Sequence, residues 1–397
     1  MSCKNTVCKY IKDFQLNLPL SDLYNLVNQY GQNSVLETLV DLIIEGEISF
    51  PYKRFEMSEK DIKSMFEELT RYKANFQIGN YRLKVRTDRK IVPWDFSGRK
   101  IVLEFGDTEY ETIDKLADYF SEENRMQAKR IDEVYSPMEA WKDPTFVKNI
   151  LVQSMAEDLT MHNLREAVYH NVKEATQFKP TLAKSFYTLF KAKRILDISA
   201  GWGDRLLAAM AIQVEKYLGF DPNKKLEKAH GEMIDMFGEG DRERYQVCYE
   251  PFETANLENF TCDLIFTSPP YFNLEIYADE KGQSLVTFPK FEDWLIGFLF
   301  KSLNKAWATL KLGGYMAIHI TDLKDQMIVE PMVLYVLSFL QGAMYRGVIP
   351  AHGMNNPKCY RPIWIFQRQP NSMNREAFGL FNTRYGNYLR RLNIYKL

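Results

Sequence analysis

The sequence predicts an α/β fold: a Rossmann-like, doubly wound parallel sheet with a separate N-terminal α+β domain. Three observations carry that prediction. Short apolar runs alternate with amphipathic stretches of helical length from Arg194 to Gln367. The first run, Arg194 to Ile198, opens into a turn containing Gly201 and Gly203. A later run, Cys262 to Thr267, empties into Ser268-Pro269-Pro270-Tyr271, where two successive prolines stiffen the backbone. Strands separated by helices pair in parallel, and open sheets of this kind bind ligands beyond the carboxyl ends of their strands.

In chain order, residues 16–47 read as two short helices. Leu23, Leu26 and Val27 recur at helical spacing, Gly31 interrupts, and Val35, Leu36, Leu39, Val40, Ile43 and Ile44 resume the pattern. This is a helical hairpin, or part of a helix-turn-helix unit. Residues 57–70 form an amphipathic helix with Ser58 at its N-cap. Residues 76–105 alternate as strands do, with Gly79-Asn80 and Ser97-Gly98 as turns. From Arg71 to Lys100 the charge is strongly basic and interleaved with Tyr72, Phe76, Tyr81, Trp94 and Phe96, which suits either a nucleic-acid surface or a solvated sheet face. Residues 112–135 are helical again, and Ser136-Pro137 and Asp143-Pro144 punctuate the segment around Trp141. We therefore expect residues 1–145 to form the N-terminal helical and β domain, 146–370 the sheet domain, and 371–397 a basic, aromatic tail. That tail either tracks a phosphate backbone or covers the N-terminal domain.

Within the sheet domain, helices over 146–173 and 181–190 precede the alternation. Strands are expected at 194–198, 216–220, 245–249, 262–267 and 315–320, with helices at 204–214, 224–237, 291–310 and 327–340. The last two strands, 343–349 and 363–367, read as an antiparallel hairpin at one edge.

Composition excludes several classes. The apolar fraction is 46%, the charged fraction 26% and the net charge -1, which suit an ordinary globular protein and argue against non-specific coating of nucleic acid. No apolar run reaches membrane-spanning length, and the Asn/Lys-rich start lacks a signal-peptide core. Five scattered cysteines point to a reduced, intracellular protein, cytoplasmic or nuclear. Neither they nor the five histidines show metal-ligand spacing, so no metal is expected.

The chemistry lies in two places. A strand ending in a Gly-containing turn that opens a helix lets the backbone approach a ligand closely. Here that stretch supplies Asp197, Ser199, Ala200, Gly201, Trp202 and Gly203. Asp221, at the tip of the next strand and followed by Pro222, is placed to bind ribose hydroxyls. These features suit a dinucleotide as well as S-adenosylmethionine, and a tight turn without ligand looks the same. The Ser-Pro-Pro-Tyr turn separates the options. An amine conjugated to a base ring is a poor nucleophile because its lone pair is delocalised. Acceptors that bind its hydrogens draw nitrogen toward a tetrahedral shape, and the Ser268 hydroxyl and Pro269 carbonyl supply them. Tyr271 can stack on the base plane. Both effects orient the amine toward a methyl group.

On these motifs the chain resembles the S-adenosylmethionine-dependent DNA amino-methyltransferases that act on cytosine N4 or adenine N6. Phe178-Lys179-Pro180 resembles the segment that packs on the methionine end of the cofactor, with Phe178 and Pro180 as its contacts. Asp197 to Gly203 resembles the cofactor loop, Asp221 the ribose ligand, and Thr267 to Tyr271 the catalytic Asn/Asp/Ser-Pro-Pro-Tyr motif. The Ser variant leans toward cytosine N4 in that family. The resemblance spans roughly Phe178 to Arg368 and implies DNA as partner, with RNA open. Two departures stand out: Trp202 occupies a position usually small, and Asp204-Arg205 follows the loop. By position, Glu250 and Phe252 would meet the adenine. Asn273, Glu275 and Tyr277 would line the target-base pocket, with Asp279 to Gln283 as a flap. Asp322 and Asn355-Asn356-Pro357 are candidates for its rim. His319, on a strand expected to be buried, reads as a core histidine. The rivals are the same chemistry on RNA or a protein glutamine, and a non-enzymatic scaffold that binds nucleic acid through residues 71–100.

Overall fold

The computed structural model describes the chain except residues 1, 74, 79–82, 88–89, 95–100, 105–111, 279, 354–355, 371–373 and 395–397, and except the side chains of 75–78, 83–87, 90–94, 101–104, 350–353, 356–361 and 394. Asn355 thus lies outside the described residues, as do the side chains of Asn356 and Pro357 and those of the basic stretch beyond Lys73. The chain divides into two compact units. One comprises Met1–Asp61, Ser121–Thr176 and Glu275–Ala278; the other comprises Ile62–Phe120, Gln177–Leu274 and Asp279–Leu397. This differs from the single boundary expected near residue 145, because Ile62–Phe120 belongs with the sheet and a four-residue segment from beyond the Ser-Pro-Pro-Tyr turn belongs with the first unit.

The first unit is mainly helical. Helices Leu20–Tyr30 and Gln32–Ile44 meet at Gly31, whose φ of 81° only glycine adopts without strain. Helices Pro144–Ser154 and Met161–Asn171 pack with them around Leu23, Leu36, Leu39, Trp141 and Ile150. Asp143 Oδ1 caps the first of these by accepting the Phe146 N–H at 2.7 Å, and Thr160 Oγ1 caps the second through Asn163 at 3.2 Å.

The second unit is built on a nine-stranded sheet. Its strands are β1 (Asn75–Ile78), β2 (Ile101–Glu104), β3 (Arg194–Asp197), β4 (Lys216–Phe220), β5 (Tyr245–Cys248), β6 (Cys262–Thr267), β7 (Leu310–His319), β8 (Ala343–Gly353) and β9 (Asn356–Arg368), in the order β5-β4-β3-β6-β7-β9-β8-β2-β1. β3 to β7 are mutually parallel, while β9 runs antiparallel to both β7 and β8. The fold is Rossmann-like and doubly wound, as the sequence predicts. The closing strands do pair antiparallel, but β9 lies inside β8, and β2 and β1 extend the sheet beyond them. The helix expected over 291–310 is interrupted by a π-helical stretch, Trp294–Phe300, in which every residue is buried.

The C-terminal helix, Arg375–Ile394, packs on this unit. Its aromatic residues Phe381, Tyr385 and Tyr388 enter the core of this unit. Arg391 pairs with Glu292 and Asp293 at 3.0 Å each. Glu330, 4% exposed, accepts the Tyr385 hydroxyl at 2.9 Å and pairs with Arg384. Tyr385→Phe is expected to lower unfolding stability by about 1–3 kcal/mol, because it deprives a buried carboxylate of a donor. Denaturant midpoints would show it; an unchanged midpoint would mean that the helix docks without this bond.

Candidate active site

The site grows from two strand ends. β3 and β6 are neighbours in register Leu264↔Ile195 and Ile265↔Leu196. The chain leaves β3 for β4 on one side and β6 for β7 on the other, which opens a crevice at their carboxyl ends.

The turn after β3 needs both its glycines, with φ of 60° at Gly201 and 102° at Gly203. A Cβ at Gly203 would also fall 2.5 Å from Met233 Sδ. Asp221, beyond β4, accepts the Gly201 N–H at 2.9 Å and the Asn223 N–H at 3.0 Å, one on each oxygen. Burial pushes its carboxyl up to about 6 despite these two donors. His230 supports the turn from below. Burial pushes its imidazole down to about 4, so the ring is neutral at pH 7. Its Nε2 lies 2.9 Å from the Gly201 carbonyl, which can only accept, so Nε2 carries the hydrogen and Nδ1 accepts the Tyr249 hydroxyl at 3.1 Å.

Asp197 holds the turn from within. Its carboxylate is fully buried and accepts Arg205 Nε at 2.6 Å, the Tyr217 hydroxyl at 2.9 Å and the Ser199 N–H at 3.2 Å. Arg205 also donates to the Ser199 carbonyl and lies 4.9 Å over the Phe178 ring. Burial works against its charge, but Asp197 outweighs that and holds the guanidinium protonated. The unusual Asp204-Arg205 pair thereby has a structural account. Arg205 folds back onto Asp197, and Asp204 accepts the Gln177 amide at 3.0 Å, its own carboxyl pushed well above the carboxylate range by burial.

Ser199 joins the two motifs. Its hydroxyl donates to the Ser268 carbonyl at 3.1 Å and accepts from Thr267 Oγ1 at 2.9 Å. At the Ser-Pro-Pro-Tyr corner, Pro269 is buried while Ser268, Pro270 and Tyr271 are half-buried. Ser268 Oγ lies 3.0 Å from His319 Nδ1. The Tyr271 hydroxyl lies 3.1 Å from the same nitrogen and donates to the His319 carbonyl at 3.1 Å. Phe178 places its ring edge-on against His319 and Phe266, with centroids 5.4 and 5.8 Å away. The next residue, Phe272, has φ 51° and is locked between Phe291 and Trp294, a strained position that anchors the corner. His319 is buried, as the sequence predicts, yet its bonds go to the Ser-Pro-Pro-Tyr turn.

The remaining candidates separate. Pro180 starts the helix Pro180–Leu189, Ala200 donates its N–H to the Phe220 carbonyl at 2.7 Å, and Trp202 is 6% exposed. Pro222 and Pro251 carry the flap: at Gly282, φ 104°, a Cβ would lie 2.9 Å from Pro251 Cγ and 3.5 Å from Pro222 Cβ. Glu250 is exposed, whereas Phe252 is buried edge-on against Phe220 at 5.0 Å. Asn273 is half-buried in this unit. Glu275 and Tyr277 belong to the first unit, where the Glu275 carboxylate accepts the Thr176 N–H at 2.7 Å, the Thr176 hydroxyl at 2.6 Å and the Tyr277 hydroxyl at 2.6 Å. That carboxylate is committed to holding its own segment. Asp322 caps the helix Val329–Phe339 by accepting the N–H groups of Ile328 and Val329 at 2.8 and 2.9 Å. Among the described residues no group of three His, Cys, Asp or Glu side chains comes together as a metal site, and no helix is long and apolar enough to cross a membrane.

No protein-family model matches the chain, and no curated protein matches it in sequence. Among solved structures it is similar to TrmN from Thermus thermophilus at 17% identity and a TM-score of 0.35, over 48% of this chain and 49% of that one. It is also similar to an rRNA methylase from Streptococcus thermophilus (13% identity, TM-score 0.32, 49% of this chain and 99% of that one). A third is the O-methyltransferase TomG from Streptomyces achromogenes, solved in complex with SAM (12% identity, TM-score 0.33, 50% and 84%). The chain spans about half the length of TrmN.

Proposed function

We propose that the protein is an S-adenosylmethionine-dependent amino-methyltransferase acting on an exocyclic base amine of DNA, cytosine N4 in preference to adenine N6. The observation that carries this reading is the Ser199 bridge, which ties the glycine turn to the Ser-Pro-Pro-Tyr corner within one hydrogen-bonded network. The residues of the turn fit the cofactor. Both Asp221 oxygens are oriented by backbone N–H groups while the side chain stays partly exposed, which leaves lone pairs for ribose hydroxyls. Half-buried Phe178 offers a ring to the methionine end, and exposed Glu250 is left as the candidate for the adenine, because Phe252 is buried against Phe220. When bound, S-adenosylmethionine would supply an electrophilic methyl group and leave as the neutral thioether, and the proton shed by the methylated amine would pass to bulk water.

The chain's own residues then prepare the amine. Ser268 Oγ and the Pro269 carbonyl accept its hydrogens and draw the nitrogen toward a tetrahedral shape. Tyr271, its hydroxyl fixed on the His319 carbonyl, presents its ring to the base. A duplex target has to leave the stack to reach that ring. Purified protein incubated with labelled S-adenosylmethionine and DNA, RNA or protein in parallel, followed by nucleoside mass spectrometry, tests the reading. N4-methylcytosine in DNA supports it, N6-methyladenine corrects the base, and label in RNA or protein alone overturns the DNA assignment.

Cofactor affinity is expected to depend on pH through Asp221. Its carboxyl titrates near 6 in the free protein, with Asp197 and Arg205 as the charged groups facing it. Ribose hydroxyls donate to the ionised form, so binding pulls that pKa down. Affinity is therefore flat above pH 6 and falls by up to about tenfold per unit below it. Asp221→Asn should abolish the slope in calorimetry from pH 5 to 8. Equal parent affinity at both ends would remove Asp221 from the cofactor site.

A further inference from the structure

Resting on that amino-methyltransferase chemistry, we propose that His319 is the positioning residue that makes the Ser268 hydroxyl an acceptor for the substrate amine. The placement of hydrogens requires it. Tyr271 has one hydroxyl hydrogen, and its oxygen lies 3.1 Å from both the His319 carbonyl and His319 Nδ1. Ser268 also has one, and its Oγ lies 3.0 Å from the same Nδ1. With Nδ1 unprotonated, both hydroxyl hydrogens have a destination. Ser268 donates to Nδ1, and the Tyr271 hydrogen goes to the carbonyl, shared with Nδ1 as a three-centre bond.

Both remaining lone pairs of Ser268 Oγ are then free for the amine, which presents only hydrogens. With Nδ1 protonated, Nδ1–H would point at Ser268 Oγ and drive the serine's own hydrogen into the site, donor against donor. A neutral ring with its hydrogen on Nε2 is the state in which both Ser268 lone pairs are left for the amine, beside the Pro269 carbonyl. The geometry holds the ring for this task. His319 is 6% exposed, ends β7, and is braced by Phe178 edge-on at 5.4 Å. It reaches the amine only through Ser268 and Tyr271.

A double-mutant cycle distinguishes this role from packing. Single-turnover methyl transfer to DNA, with S-adenosylmethionine affinity measured by calorimetry, is compared for the parent protein, Ser268→Ala, His319→Leu and the double variant. His319→Leu is expected to slow transfer about 100-fold with cofactor affinity kept within about twofold, as suits a lost alignment. In the Ser268→Ala background the same change should cost less than about threefold, because there is no longer a hydroxyl to orient. His319→Asn, whose amide oxygen can take the serine hydrogen, should recover about tenfold of the loss, and it decides the matter independently should His319→Leu fail to fold. Losses that multiply in the double variant, or an Asn variant as slow as Leu, overturn the role of His319 while leaving the enzyme assignment intact. A parent protein that binds S-adenosylmethionine but methylates neither DNA nor RNA overturns both.

Discussion

Replacing Ser268 with alanine is expected to lower methyl transfer about a thousandfold while S-adenosylmethionine affinity stays within about threefold. The separation follows from which atoms of Ser268 do what. Its backbone carbonyl receives the Ser199 hydroxyl at 3.1 Å, and that bond ties the corner to the glycine turn. Truncating the side chain leaves it in place, along with the Asp221 and His230 supports of the turn. The side-chain oxygen faces the crevice and His319. On the proposed chemistry, alanine therefore removes an acceptor for the amine and leaves the bonds of the glycine turn intact. Loss of one preorganised polar group at a reacting centre typically costs two to three orders of magnitude, and we expect the upper end because the amine is a weak nucleophile. Single-turnover kinetics with calorimetry in parallel would read both quantities. A variant that transfers methyl at the parent rate, or that loses cofactor affinity in step with activity, would refute the division of labour. The scaffold alternative makes the opposite forecast, in which Ser268→Ala together with Tyr271→Ala leaves the biological effect intact.

The sheet was legible in the sequence where one element follows the next. Ile195-Leu196 and Leu264 to Phe266 are apolar on both faces, as strands covered on both sides must be, and the glycines and prolines that end them mark where the chain turns. Features that depend on pairing at long range were hidden. β1 and β2 join the sheet through β8, far along the chain, and local alternation cannot name a partner that distant. Glu275–Ile276 pairs with Lys129–Arg130 over two residues a strand, too short for any period, so the interleaving of the two units left no trace. In the C-terminal helix, basic and aromatic residues alternate in a way that suits a phosphate track or a docked amphipathic helix equally. Burial of Phe381, Tyr385 and Tyr388 decides for docking. His319 is the instructive case. Its strand marks it as buried, but its contacts with Ser268 and Tyr271 depend on the β6–β7 register. Thr267 pairs with Ile318, so Ser268, the first residue beyond β6, meets His319, the last of β7.

Arg205→Met is expected to destabilise the fold by about 3–5 kcal/mol, the largest stability effect among these changes. Arg205 and Asp197 are 4% and 0% exposed, so neither charge can be hydrated when the other is removed. Without the guanidinium, Asp197 keeps the Tyr217 hydroxyl and the Ser199 N–H, two neutral donors that cannot balance a buried negative charge. Lysine at 205 should rescue poorly. The guanidinium bonds Asp197 and the Ser199 carbonyl while lying 4.9 Å over the Phe178 ring, and a single ammonium cannot do all three. The cost should instead shrink when the partner charge is removed as well. Arg205→Met with Asp197→Asn is expected to recover at least about half of the lost stability, since a neutral pair leaves no orphaned ion. Denaturant unfolding of the single and double variants measures this directly. Because the pair sits beneath the turn and braces Phe178, cofactor affinity should fall in the single variant even at temperatures where it remains folded. A single variant as stable as the parent would show that solvent reaches Asp197, and that the turn is held by its glycines and Asp221 alone.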